Sequence, residues 1–444
     1  MLTPTPLTSH PIDVVVAGGG CAGVVAAVAA ARNKAGVLLL ERNGYLGGTS
    51  TSVLDSFYGF FTPGDARQTV FGIPIEVIDT LNRSGHVIYR RDEHGGGTGV
   101  GYDPERLKLV WDELVAKSGA SLLLRASVVN AELSDDGTRP HRLIIESIGG
   151  LYTVACHLLI DATGDATVCS RGGAPFLPRS DAVEHQCLTT TVRLANVDTK
   201  LARSFSLAKM RDLINTARQD GYELPHDDIH VHRMTFPGGA LGLMTRIPIA
   251  SLTDPWEVSH AEVSGRHQAV EYVRFLRDRV PGYERSALIG FSPAIGIRES
   301  RRILGAYILT REDLESGRSF DDVVGRSGSP MELQHAAGST WAPLAPGTVY
   351  DIPLRSLIIK GFTNVLVAGR CISASEEAHS SVRLMGQCMA MGEGAGTAAA
   401  MAVHDEANVS ELSAAKLRRR LSASGALIDR NVLPYFDQAL TERT

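Results

Sequence analysis

Gly18, Gly20 and Gly23 stand as G-x-G-x-x-G directly behind the apolar run Asp13-Val-Val-Val-Ala17, a spacing that holds a phosphate against bare backbone. Gly18 allows the tight turn, Gly20 lets the main chain approach a pyrophosphate, and Gly23 lets the next helix pack closely on the strand. Cys21 and Ala22 open that helix, whose N-terminal N–H groups and partial positive charge face the anion. Glu41, with Arg42 beside it, ends the second apolar run Val37-Leu-Leu-Leu, where a carboxylate accepts the hydroxyls of an adenosine ribose. Strand, helix and acidic residue in this order predict a dinucleotide-binding βαβ unit. Gly47-Gly48-Thr49-Ser50 supplies a second glycine and hydroxyl loop close by.

A second reactive segment lies far along the chain, His379-Ser-Ser-Val-Arg383-Leu-Met-Gly386-Gln387-Cys388. Arg383 can grip an anionic or carbonyl group through its planar fork, and His379 can exchange a proton near neutral pH. The alternative is that Arg383 holds a structural carboxylate such as Glu376 or Glu377 and His379 is a satisfied loop histidine. Arg298, Arg301 and Arg302 follow Pro293 and read as the opening of a helix, either a solvated face paired with Glu299 or a basic edge of a cavity. His226-Asp-Asp-Ile-His230-Val-His232 places two histidines on one face of a strand. No fourth-ligand pattern accompanies them, so a polar surface strand is expected and no metal site. His94-Gly-Gly-Gly-Thr-Gly-Val-Gly101 reads as a segment too glycine-rich for a rigid element, either a lid or a plain flexible loop. No G-x-S-x-G elbow accompanies a triad.

The elements that must position these groups follow the punctuation of the chain. Asp103-Pro104 caps a helix running through Leu107, Val110, Trp111 and Leu114. Three strand-like runs come next, Leu122 to Asn130, Arg142 to Ser147 and Tyr152 to Ile160, the last leading into Asp161-Ala162-Thr-Gly164-Asp165. Helical patterns cover Leu201 to Gln219, Val258 to Arg279 and Arg298 to Thr310. Another buried strand, Asn364-Val-Leu-Val-Ala, turns at Gly369-Arg370 before a small-residue helix from Met385 to Val403. The expected organisation is a nucleotide domain in two pieces, 11–183 and 347–404, an inserted α+β substrate or cap domain, 184–346, and a helical tail, 405–444, read as a packed surface helix or a partner-binding one.

Composition excludes several classes. A formal net charge of −5 and a pI near 6.3 offer nothing to nucleic acid or to an anionic membrane. The first residues carry no basic or apolar leader and the apolar helix at Cys21 is too short to span a bilayer, so a cytoplasmic protein is expected. Six scattered cysteines without a C-x-x-C pair argue against an iron–sulfur cluster, a zinc site or a redox disulfide.

Three separated motifs, Gly18 to Gly23 with Glu41, Ile160-Asp-Ala-Thr-Gly164-Asp165, and Val365-Leu-Val-Ala-Gly369-Arg370, resemble the FAD-binding set of glutathione reductase/fumarate reductase type flavoproteins. More narrowly, Gly296-Ile-Arg298-Glu-Ser-Arg301-Arg302, Gly369-Arg370-Cys-Ile-Ser373-Ala and Arg383-Leu-Met-x-x-Cys388 resemble a family of bacterial FAD-dependent oxidoreductases distantly related to the flavin subunit of heterodisulfide reductase. The resemblance covers Ile12 to Val403. It implies an α/β fold with a discontinuous Rossmann-like FAD-binding domain of the glutathione reductase type. It also implies that Val128 or Val129 passes along the adenine, that Gly47, Gly48 and Thr49 or Ser50 approach the pyrophosphate and isoalloxazine, and that Ala162, Gly164 and Gly369 line the cofactor. Arg370 stands where relatives often carry the acid that holds a ribityl hydroxyl. The cysteine clusters of the heterodisulfide reductase subunit are missing, and Thr49 follows the Gly-Gly loop where covalent relatives place histidine, so FAD is expected to be noncovalent.

The spacing of His379 and Arg383 resembles the His-Gly-Ala-Asn-Arg-Leu-Gly segment of fumarate reductases. By that likeness N–H groups around Gly386, Gln387 and Cys388 stabilise the charge left at the flavin N1–C2=O edge after hydride reaches N5. Arg298 is then the arginine expected to face the flavin cavity. The resulting expectation is a FAD-dependent dehydrogenase or oxidase acting on a small polar or anionic molecule, with oxygen, a quinone or a carrier protein as electron acceptor; a homodimer is one possible assembly. The alternative is a non-catalytic flavin-binding subunit of an electron-transfer or RNA-modifying complex.

Overall fold

A computed structural model describes residues 4–64, 66–90, 96–134, 136–179, 185–336 and 338–435. Val14, Val15 and Val16 are fully buried on the strand Ile12–Ala17, because a parallel sheet covered on both faces excludes water from every side chain. This strand pairs in parallel with Val37–Glu41 on one side and Gly150–Asp161 on the other. Ser121–Leu124 extends the sheet beyond Val37–Glu41, and Val365–Val367 joins the end of Gly150–Asp161. The first half of Gly150–Asp161 instead pairs antiparallel with Pro140–Ser147, which pairs with Ser127–Leu133. One long strand thus belongs to both the Rossmann-like sheet and the meander beside it. The expected run Leu122 to Asn130 is split in two at Arg125, whose φ of 54° breaks the extended chain.

Two helices of small residues, Cys21–Arg32 and Met385–His404, lie against each other on this sheet. A Cβ on Gly392 would fall 2.2 Å from the Ala22 carbonyl oxygen, and one on Gly396 would fall 2.1 Å from that of Ala26. The backbones meet directly, so bulk at either glycine forces them apart. Asp103 caps Pro104–Ser118 through the Glu105 and Arg106 amides, as its sequence predicts. The tail helix Ala414–Ala423 buries Leu417 and Leu421 in the same core.

The inserted region has its own core, with Val192, Leu194, Ile214, Tyr272 and Phe275 enclosed between helices and a four-stranded antiparallel sheet. The sheet order is His230–Arg233, Ala240–Leu243, Thr191–Ala195, Ala287–Phe291. Helices Leu207–Gln219 and Pro255–Arg279 cover it. Two sequence expectations change here. No helix runs from Arg298 to Thr310: the segment is extended, and Ile303, Gly305 and Leu309 bridge to Phe176, Ile359 and Ala374. From Ile303 onward its apolar residues join the nucleotide-sheet core, as do Val323, Val324 and Met331, so the second piece of that domain begins well before residue 347.

The glycine segment also differs from a flexible loop. His94 and Gly95 lie outside the described residues, but Gly99–Tyr102 is a buried strand between Ser56–Phe57 and Val87–Arg90. The Tyr58 ring and the Arg90 guanidinium sit where side chains at Gly99 and Gly101 would be. Gly99 and Gly101 make room for these neighbours. Among the described residues, no helix is long and apolar enough to cross a membrane.

Candidate active site

The three motif glycines divide their work. Gly18 has φ 101°, and a Cβ there would lie 2.5 Å from the Ala162 carbonyl oxygen; one on Gly23 would lie 1.8 Å from that of Gly18. At Gly20 a Cβ would meet nothing within 4 Å. The protein fills the space around the first and third glycines and leaves the second facing an open hollow. Beside it the helix starts without a side-chain cap, Cys21 follows the bridge between Gly20 and Gly47, and the Ala22 and Gly23 amides have no backbone acceptor among the described residues. This cradle fits the pyrophosphate of a dinucleotide such as FAD.

The second glycine loop is pressed onto the first. Gly47 donates its N–H to the Gly19 carbonyl at 2.8 Å, and a Cβ on Gly48 would lie 3.0 Å from the Gly20 Cα. Ser50 turns its hydroxyl to the Gly47 carbonyl at 2.7 Å and is buried, so it shapes the loop and offers nothing outward. Thr49 beside it is half-buried. Glu41 accepts from the Gly19 N–H at 2.7 Å and from the Asn43 N–H and Nδ2 at 2.7 and 2.8 Å. A carboxylate has about four acceptor positions, so Glu41 both braces the turn and keeps capacity for a ribose hydroxyl. Arg42 is exposed. Val128 pairs with Ile145 next to a bulge in which Val129 is skipped.

Arg370, whose guanidinium has the chemistry to pair with a phosphate, is engaged by the protein itself. Its Nη2 donates to Asp165 Oδ1 at 2.6 Å, Nη1 to the Ile297 carbonyl at 2.6 Å and Nε to the Gly164 carbonyl at 3.0 Å. It ties together the loops after two strands and the incoming segment from the inserted domain. Gly164 has φ 80° with this guanidinium against it, and Gly369, φ 91°, lies against Ala22 and Cys388. Arg301 and Arg302 brace the same region by donating to the Asp165 and Ala374 carbonyls.

His379 is fully buried, and its Nε2–H donates to the Arg370 carbonyl at 2.7 Å. Burial and the nearby Arg383 and Arg302 charges push its pKa down to about 3. It is therefore neutral at physiological pH, with Nδ1 buried and unpartnered among the described residues. This departs from the acid–base role expected from sequence: the ring has a very weak affinity for a proton and no solvent contact, and it holds the Arg370 loop. Of the N–H groups expected to serve as oxyanion donors, Gly386 donates to the Tyr58 carbonyl at 3.0 Å and Cys388 to that of Leu384 at 2.9 Å. The amides of Met385 and Gln387 are the ones with no acceptor among the described residues. The Gln387 side chain is buried and donates to the Gly59 carbonyl at 2.6 Å.

Arg383 caps the helix Glu376–Val382 at its C-terminus. It is half-buried. Its Nη2 reaches Gln186 Oε1 at 3.2 Å and the Glu332 carbonyl at 3.4 Å, and its buried Nε has no partner among the described residues. Among the described residues, its hydrogen-bond partners are Gln186 and Glu332, and neither Glu376 nor Glu377 pairs with it. Arg298 Nη1 donates to the Cys187 carbonyl and to Thr189 Oγ1, both at 2.6 Å. Burial and the Arg383 charge lower its pKa to about 10. Gln186 and Glu332, which the sequence reading missed, come from segments without a recognisable motif. The histidines of the 226–232 segment go to separate partners: His226 to the Met244 carbonyl, His230 to Asp228 and His232 toward Asp55.

The comparisons agree with this geometry. The family model described as FAD dependent oxidoreductase matches residues 13–421. Among solved structures, a geranylgeranyl bacteriochlorophyll reductase-like protein from Thermoplasma acidophilum is 13% identical with a TM-score of 0.50, covering 94% of this chain and 84% of that one. The p-nitrophenol 4-monooxygenase of Pseudomonas putida is 11% identical with a TM-score of 0.45, covering 97% and 86%. No functionally curated protein matches the chain. The first of these structures shares the fold alone, an α/β architecture with a Rossmann-like FAD-binding sheet. With a phosphate cradle, a second glycine loop seated on it and a family match across nearly the whole chain, this protein belongs to the FAD-dependent oxidoreductase family.

Proposed function

We propose that the protein is a FAD-dependent dehydrogenase or oxidase that oxidises a C–H or C–N bond of a small polar, anionic molecule, with FAD bound noncovalently. The observation that carries the reading is the unpartnered, buried Nε of Arg383 beside a helix start with free amides. Bound FAD supplies a two-electron hydride acceptor. Gly20 and the Ala22 and Gly23 amides would hold its pyrophosphate, Glu41 its ribose, and the Met385 and Gln387 amides its electron-rich edge. Arg383 binds and orients the substrate through its planar fork. His379 holds the Arg370 loop and carries no proton in the reaction. Oxygen, a quinone or a carrier protein takes the electrons, in the cytoplasm.

Anaerobic metabolite profiling scored by bleaching of the flavin absorbance tests this reading. At least one small anionic metabolite should bleach the holoprotein. Bleaching by none, with photoreduction intact, would replace the enzyme with an electron-transfer or RNA-modifying subunit. Acid precipitation should release all of the flavin as FAD, and a yellow pellet would refute noncovalent binding.

A further inference from the structure

Arg298 and Arg383 are distant in sequence but are fastened to adjacent residues. The Gln186 side chain holds Arg383, and the Cys187 carbonyl holds Arg298. Consecutive Cα atoms lie about 3.8 Å apart, so the two guanidinium groups share one short stretch of chain. That stretch is itself fixed: Cys187 donates its N–H to the Gln334 carbonyl at 2.8 Å, and Gln186 donates its N–H and Nε2 to Glu299 at 3.0 and 3.3 Å.

Among the described residues, the carboxylates around them are mostly matched by other cations. Glu299 is matched by Arg179, Asp165 by Arg370 and Asp228 by Arg246. Glu332 faces both arginines, Glu299 also acts on Arg383, and one of the Glu332 oxygens already accepts from Gln334. Among the described residues Glu332 is the carboxylate that acts on both fork-shaped donors, the Arg383 Nε is buried without a partner, and deep charges are stable only when paired, so the pair retains capacity for an anionic group. Arg246, whose charge also reaches Arg298, lines a cleft of about 550 Å³ in which Arg211, Arg218 and Arg246 outnumber Asp227 and Asp228, which leaves a weakly basic approach.

We propose that Arg298 and Arg383 form a two-armed receptor for a carboxylate of the substrate, with Gln186 as the residue that positions both arms. This rests on the reading of Arg383 as the substrate contact and names the group it holds. Isothermal titration of the isolated holoprotein with acetate, glycolate, succinate and benzoate, each against its neutral amide, tests it without turnover. At least one carboxylate should bind tenfold or more tightly than its amide. R298Q and R383Q should each lose that preference, R298K should keep part of it, and Q186L should reduce it at unchanged FAD content. Equal binding of acids and amides, or an unchanged preference in R298Q, overturns the proposal. If R298Q fails to fold, R298K decides: a preference identical to wild type, with the fork gone, rejects the two-armed geometry. Bleaching by a neutral metabolite alongside absent carboxylate preference would reject this inference and leave the oxidoreductase reading standing.

Discussion

The cofactor side and the substrate side of this molecule are built by opposite means. The cradle at Gly18 to Gly23 is made of backbone from one continuous stretch, and its specificity comes from where side chains are missing. The receptor at Arg298 and Arg383 is made of side chains gathered across long sequence separations and held by other side chains, Gln186 and Glu299 among them. The first should tolerate almost no added volume and the second almost no change in hydrogen-bonding shape.

The largest expected effect tests the cradle. Gly23→Ala places a methyl where the Gly18 carbonyl stands, and overpacking of this kind costs about 1–3 kcal/mol or more. FAD occupancy of the purified protein should collapse; normal occupancy would show that the turn yields easily. On the substrate side, Arg383→Lys keeps the charge and loses the fork, so kcat/KM should fall by roughly 10²-fold or more with FAD content retained. Single-turnover flavin reduction at wild-type rate would remove Arg383 from the site.

A smaller effect separates the two regions at Glu41. Glu41→Ala should weaken FAD by about 1–3 kcal/mol through lost charged hydrogen bonds, read as a shift in FAD affinity, with the carboxylate preference of the apoprotein unaltered. Coupled changes would mean that the regions are not independent.

Two further effects are pH-dependent and of opposite sign. His379 is held at about 3 against its ordinary 6.5, so stability is present above pH 6.5 and is lost as pH falls toward 3. Glu393, buried beside the Ile73 amide, is pushed by burial up to about 7 from 4.5, so the stability linked to its protonated form is present below pH 4.5 and lost as pH rises through 7. Between pH 4.5 and 6.5, His379→Asn should therefore flatten the loss of stability on acidification and Glu393→Gln should steepen it. Denaturation midpoints across that window check both, and parallel curves for the two variants would refute the assignment.

Sequence legibility divides along the same line. The βαβ unit, the cap at Asp103 and the small-residue helix are local patterns, and each appears where its spacing predicts. The segment from Arg298 to Thr310 carries helix-compatible spacing, but its backbone is claimed by Pro175, Cys371 and Ser373, partners no local pattern reveals. Arg370 looked free for phosphate because its partner Asp165 lies two hundred residues earlier in the chain. His379 has the residue type for proton transfer, but its burial in the fold, with the charges of Arg383 and the distant Arg302, sets its charge state.

The contact of Gly392 with Ala22 and of Gly396 with Ala26 runs in the same sense along both helices. One helix begins a single residue before its first contact and the other seven residues before, at Met385. At about 1.5 Å of rise per residue, the two sets of free amides are therefore stepped by roughly 9 Å along a shared axis. The helix pair acts as a ruler. A ligand that engages both sets must be long enough to climb that step, so the packing of two glycines deep in the core fixes a minimum length for what binds at the surface above them.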